Sequence, residues 1–143
     1  MNIRLGLLAM ILVSVGQTAK AQTGYNIDFS VKGLKDTTVM LGYYIGENTY
    51  VRDTARCDKQ GNFRFDGKER LAEGAYFLAI NKMKALEFLI GQDQHFKMET
   101  AADDYILHMK VTGDEDNELY FTNMQYLNTE HKVADPHLKV LRD

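Results

Sequence analysis

Cys57 is the only thiol in this 143-residue chain and so the first residue to test for chemistry. A catalytic thiolate needs a neighbour that lowers its pKa, and a redox couple needs a second sulfur. No second cysteine exists, and Cys57 shares strand parity with Val51 and Ala55 just before a turn, the setting of a structural thiol. The four histidines are scattered. His95 and His108 fall on the polar faces of expected strands, whereas His131 and His137 lie at the end of an expected helix and in the tail behind it. Together with Asp135 these last two reach a metal only if the tail folds back, and their spacing is neither H-E-x-x-H nor a Cys/His finger. Asp114, Asp116 and Glu118 gather carboxylates without the sixth-position glycine and twelfth-position glutamate of a calcium loop. Helix initiation accounts for them more simply. The sequence therefore assigns no catalytic residue, no metal ligand and no cofactor. Aromatic side chains remain: strand parity turns Tyr43 and Tyr76 inward and Tyr44 and Phe77 outward, so Tyr44 and Phe77 are the candidates for an interaction surface, for contact with the terminal helix, or for a glycan platform.

The elements that must position these residues are mostly strands. Tyr25, Ile27, Phe29 and Val31 alternate with polar neighbours, the period of a strand with one wet face. A second strand is expected over Thr38 to Ile45, with Val39, Leu41, Tyr43 and Ile45 on one face, and a third over Thr49 to Cys57. Asp58-Lys59-Gln60-Gly61-Asn62 is a turn, and Phe63 and Phe65 begin the next strand of an expected antiparallel meander. Further strands are expected over Ala75 to Ile80, Ala85 to Ile90, His95 to Glu99 and Tyr105 to Val111. Leu119, Tyr120, Phe121, Met124 and Leu127 then recur at helical spacing. This predicts a helix from about Glu115 to Glu130, with Tyr120, Met124 and Leu127 inward and Gln125 in water. A charged tail, residues 131–143, is interrupted by Pro136. The expected fold is an all-β antiparallel sandwich of about eight strands with one C-terminal amphipathic helix, because strands with one apolar face need a second sheet to cover them. An open barrel has the same alternation.

Composition agrees: 45% hydrophobic and 26% charged residues fit one globular domain and exclude collagen-like or disordered chains. The start Met1-Asn2-Ile3-Arg4, the apolar run Leu5 to Val15 and Ala19-Lys20-Ala21 have the layout of a secretory signal, residues 1–21, cleaved before Gln22. Without Arg4 and Lys20, 15 basic side chains face 20 acidic ones, a formal charge of −5 with no basic patch. That disfavours nucleic acid, and after cleavage a membrane, as a partner. The expected location is the periplasm or outside the cell, and the domain proper is residues 22–130.

Several short segments resemble the DUF4369 family, an N-terminal β domain of Bacteroidota envelope proteins. They are Phe29-Ser30-Val31-Lys32-Gly33-Leu34, Val39-Met40-Leu41 with Tyr43, Asp53-Thr54-Ala55, Gly61-Asn62-Phe63-Arg64-Phe65-Asp66-Gly67, Gly74-Ala75-Tyr76-Phe77-Leu78 and Val111-Thr112-Gly113 through Asn117. The resemblance implies a domain that precedes a thioredoxin-like domain of the thiol–disulfide oxidoreductase or alkyl-hydroperoxide-reductase type. No C-x-x-C is present here, so redox activity does not carry over. The functional expectation is a non-catalytic envelope module that contacts another protein or positions a thioredoxin-like partner; the alternative is a small-ligand or glycan-binding domain.

The export reading is checked by N-terminal sequencing of the protein from the envelope or medium, where the chain should begin at Gln22. Replacing Leu8 by Asp should trap the precursor, and a stable product that keeps Met1 would refute the signal.

Overall fold

The computed structural model describes residues 23–140, with side chains as far as residue 130. The expected signal, residues 1–21, lies outside the described residues. Eight strands come first: β1 (Tyr25–Lys32), β2 (Thr38–Ile45), β3 (Asn48–Arg56), β4 (Asn62–Gly67), β5 (Gly74–Ile80), β6 (Met83–Ile90), β7 (His95–Ala101) and β8 (Lys110–Thr112). One helix, α1 (Glu115–Val140), follows them. The strands form two four-stranded sheets, β4-β1-β7-β8 and β3-β2-β5-β6, so the chain is an all-β sandwich with a terminal helix.

Its topology is not the expected simple meander. β1 lies between β4 and β7, and β2 belongs to the opposite sheet, paired with β3 and β5. One pairing departs from antiparallel order: β1 runs parallel to β7, with Phe29 beside Met98. Alternation reports which face of a strand is apolar, not which strand lies beside it, so neighbour order was beyond the pattern's reach.

The core is where the two inner faces meet. Phe29 of β1 stacks on Phe63 at a ring separation of 4.9 Å and meets Phe65 edge-on at 6.1 Å. It also reaches across to Phe88 of the opposite sheet at 5.7 Å. Such offset and edge contacts add to the area buried, and here they join the sheets through one ring. Ile27, Val39, Leu41, Leu78 and Met98 fill the space around them and are fully buried.

The turn between β3 and β4 shows how sequence sets geometry. Asp58 Oδ1 accepts the N–H groups of Gln60 and Asn62, each at 2.8 Å. These donors hold the Asp58 carboxyl below its usual range. Gly61 adopts a positive φ of 92°, and a Cβ there would lie 2.1 Å from the Val31 carbonyl oxygen. Only glycine permits both the conformation and the approach.

Three local expectations need correction. The strand expected over Tyr105 to Val111 is reduced to β8, because the Asp104 carboxylate accepts the N–H groups of Ile106 and Leu107 and curls the chain into turns. Ile45, expected on the core face, is exposed at the tip of the β2–β3 hairpin. A register shift between Leu41 and Gly42 re-aims that hairpin before its end. The helix runs on through Pro136 to Val140, beyond the expected end near Glu130. Proline removes one donor and crowds one carbonyl, which weakens a helix locally without forbidding the turns on either side.

The helix also presents a different stripe from the one its apolar residues suggest. Phe121 is buried and Tyr120 and Met124 are half-buried, but Leu127 is 52% exposed. Asn117 and Gln125 complete the inner side. Asn117, with none of its surface exposed, accepts the Leu89 N–H at 2.8 Å and donates to the Leu89 carbonyl at 2.7 Å. Gln125, expected in water, donates to the carbonyls of Ile106 and Met109 at 3.0 and 2.8 Å. Asp114 caps the helix by accepting the Asp116 N–H at 3.1 Å and bonds the Asn117 amide at 2.5 Å. α1 therefore packs along the side of the sandwich where β6 and β8 end their sheets.

Asn117→Ala should lower stability by about 2–3 kcal/mol, since it removes the two hydrogen bonds to Leu89 and the one to Asp114 and leaves the Leu89 main chain short of partners. Leu127→Ala should stay within about 0.5 kcal/mol. Urea unfolding decides; equal loss in the two variants would contradict the docking described.

Candidate functional site

Tyr44 and Phe77, the pair singled out from parity, do share the outer face of the β3-β2-β5-β6 sheet, with ring centroids 5.2 Å apart. They do not form an open aromatic platform. Phe77 is 9% exposed and lies over Gly42, where a Cβ would fall 2.1 Å from its ring. Glycine in the middle of β2 is thus explained by the ring that crosses it. Tyr44 donates its hydroxyl to Glu87, which also receives Lys84 Nζ at 2.8 Å. Lys84 reaches the Tyr44 oxygen at 3.2 Å. Burial and the hydrogen bond to Glu87 raise the Tyr44 pKa, and the Lys84 and Tyr44 contacts lower that of Glu87.

Cys57 has no exposed surface. Its N–H donates to the Thr37 carbonyl at 2.9 Å, and its thiol lies 3.4 Å from the Asp58 carbonyl. Burial first, then Asp58 and Asp36, push the thiol pKa up, the opposite of what a nucleophile needs. His95 stands at the half-buried start of β7, with a buried Nε2 that no described group meets. His108 sits in the turn before β8, 3.5 Å from Asp103. The side chains of His131, Asp135 and His137 lie outside those described. Among the described residues, no three His, Cys, Asp or Glu side chains are grouped to hold a metal ion. No described helix is long and apolar enough to cross a membrane.

Three tyrosines cluster within the β3-β2-β5-β6 sheet, and a fourth bonds to it from the other sheet. Tyr43 lies 5.6 Å from Tyr50 and 5.9 Å from Tyr76, ring to ring. Tyr25, at the start of β1, donates its hydroxyl across to Asp53 of the other sheet at 2.9 Å. Burial, followed by that hydrogen bond, pushes the Tyr25 pKa up to about 12. In the sequence Asp53 is a polar residue at the same strand parity as Val51, Ala55 and Cys57. That oddity was the available signal for this bond, because an inward carboxylate needs a donor.

With the geometry in place, the comparison with protein families is informative. A family model described as a domain of unknown function, DUF4369, matches residues 25–120. The chain belongs to the DUF4369 family. No curated protein matches it. The DUF4369 match opens at Tyr25, the first residue of β1, and ends at Tyr120 in the second turn of α1. It therefore takes in both sheets, the Asp114 cap and the Asn117 clamp. Tyr126 and Leu127 lie beyond it.

The Tyr25–Asp53 bond makes a pH prediction. Between pH 10 and 12 the unfolded chain has lost the Tyr25 proton while the folded chain keeps it, so stability falls as pH rises. The contribution is fully present below pH 10 and amounts to about 2–3 kcal/mol, lost by the time pH passes 12. Tyr25→Phe should flatten that decline without abolishing it, because Tyr44, Tyr76 and Tyr105 are also raised. Urea unfolding across this range measures the slope, and an unchanged slope in Tyr25→Phe would refute the assignment.

Proposed function

We propose that this DUF4369 domain is a non-catalytic module of the cell envelope that contacts another protein, a thioredoxin-like redox protein being the partner the family resemblance suggests. The observation that carries the reading is the outer side of α1. Leu119, Tyr126 and Leu127 are 63%, 65% and 52% exposed, although the same helix buries Phe121 and Asn117 against the sandwich. Large apolar side chains left in water on an otherwise docked helix are the usual material of a protein interface, tyrosine above all. Tyr44 and Phe77 are spent on the sheet's own packing, which moves the contact surface from the one expected to the helix. The environment of Cys57 supports the non-catalytic part of the proposal: a redox partner would bring its own sulfurs.

A photo-crosslinking residue placed at Tyr126 in the full chain, in the cells that produce it, tests this. One discrete adduct with a thioredoxin-fold envelope protein is expected, and Tyr126→Ala should weaken the purified pair at least about tenfold. Absence of an adduct from Tyr126, or adducts equally strong from exposed Val51 on β3, the opposite edge of the β3-β2-β5-β6 sheet, would sink the proposal.

A further inference from the structure

The rotation of α1 that turns Asn117, Phe121 and Gln125 toward the sandwich leaves a regular line of residues in water. Asp116, Leu119, Asn123, Tyr126 and Glu130 follow one another at steps of three and four, all exposed, polar and apolar in turn. Leu119 and Tyr126 are one heptad apart, and in the sequence Val133 and Val140 continue the interval over the rest of the helix. A spacing of this period is what lets a second helix lie along the first, because it keeps the same line facing the partner. The helix also outruns its own domain. Among the described residues Gln125 makes the last hydrogen bond from α1 to the sandwich, and from there to Val140 the helix rises about a further 22 Å.

Charge on this stretch has one sign. From Glu115 to Glu130 the helix carries Glu115, Asp116, Glu118 and Glu130, all exposed, and no lysine or arginine. None of the four is in an ion pair among the described residues. Lys110 shares a hollow with Glu118, which is not on the line; Asp116 and Glu130 are. The three carboxylates of the first turn also offset the helix dipole, but Glu130, about four turns further on, does not. A second copy laid parallel would set Asp116 and Glu130 each against its own image, which is repulsive.

We propose that the partner covers α1 with an amphipathic helix of its own, aliphatic at heptad spacing and carrying lysine or arginine where it faces Asp116 and Glu130. The inference rests on the contact proposed for α1 and adds the kind of surface that the partner brings. Aliphatic side chains against Leu119 and Tyr126 supply the burial. The cations fix register and direction, and they speed encounter at low salt.

The probe is a fluorescently labelled synthetic peptide of about four heptads, with leucine at one facing position of each heptad and lysine at the other, titrated with the purified protein and followed by anisotropy. Saturable binding is expected, weakened at least about tenfold by Tyr126→Asp or Glu130→Lys and lost when glutamate replaces the peptide's lysines. Glu130→Lys should in turn gain affinity for the glutamate peptide. Both positions are exposed, so the urea midpoint of each variant should match the parent. No binding, binding indifferent to both substitutions or to the peptide's charge, or equal binding of a scrambled peptide would overturn the proposal. Sedimentation of the protein alone should show a monomer, and a dimer abolished by Tyr126→Asp would give the face to a second copy and overturn it as well. A cellular adduct at Tyr126 without peptide binding would keep the protein contact and remove the helix. Peptide binding without an adduct would keep the helix-binding face and withdraw the redox-protein partner.

Discussion

Main-chain polar groups left over where strands stop are the constraint on which the rest of this structure depends. A sandwich buries its inner faces by apolar packing, but the edges of each sheet and the loops crossing them still carry donors and acceptors that must be paired. Two side-chain amides do this by imitating a strand. Asn117 pairs with both main-chain groups of Leu89 on the outer edge of β6. Gln94, only 1% exposed, accepts the Leu71 N–H at 2.9 Å and donates to the Leu71 carbonyl at 3.0 Å. One fixes the helix to the sheet; the other fixes the β4–β5 connection, so that Leu71 can enter the core. Each amide offers a donor and an acceptor at the spacing a peptide would, which a hydroxyl or a carboxylate does not.

The helix follows from this. Because Asn117 must face β6, and Gln125 the carbonyls of the turn before β8, the rotation of α1 about its axis is set by polar contacts, with Phe121 between them as the apolar plug. Tyr120 and Met124 are then left at the flank and Leu127 in water. The exposed apolar side chains of the helix are a consequence of that rotation, which is why the candidate contact surface lies on the helix rather than on the sheet.

This also explains what was legible in the sequence. Seven of the expected strands, the Asp58–Asn62 turn and the acidic start of the helix rest on local chemistry, period-two burial and turn residues, and the structure reproduces them. The inward stripe of α1 was misplaced because hydrophobic periodicity counts only apolar residues, whereas Asn117 and Gln125 are buried for their hydrogen bonds. Tyr105, Leu107, Met109 and Val111 recur at every second position, yet Asp104 bends most of that segment into turns; one side-chain acceptor outweighed four apolar residues. The Tyr44–Phe77 pair was placed on the correct face, but its closure over Gly42 depends on β2 and β5 being neighbours.

The opposite edge of the sandwich argues for the same side as the contact surface. β3 is a nine-residue edge strand and exposed over most of its length, which makes it a template for pairing with another chain. It is blunted in two ways. Register slips beside Arg52, where Leu41 faces Asp53 but Gly42 faces Val51, so the edge is not flat. An antiparallel pairing with a second copy about the strand centre would also set Arg52 directly opposite its own image. The Tyr25 hydroxyl holds Asp53 toward the interior, which keeps the edge tied to its own domain. An edge guarded in this manner leaves α1 as the side where large apolar groups meet water with no such guard, and where a partner gains most by covering them.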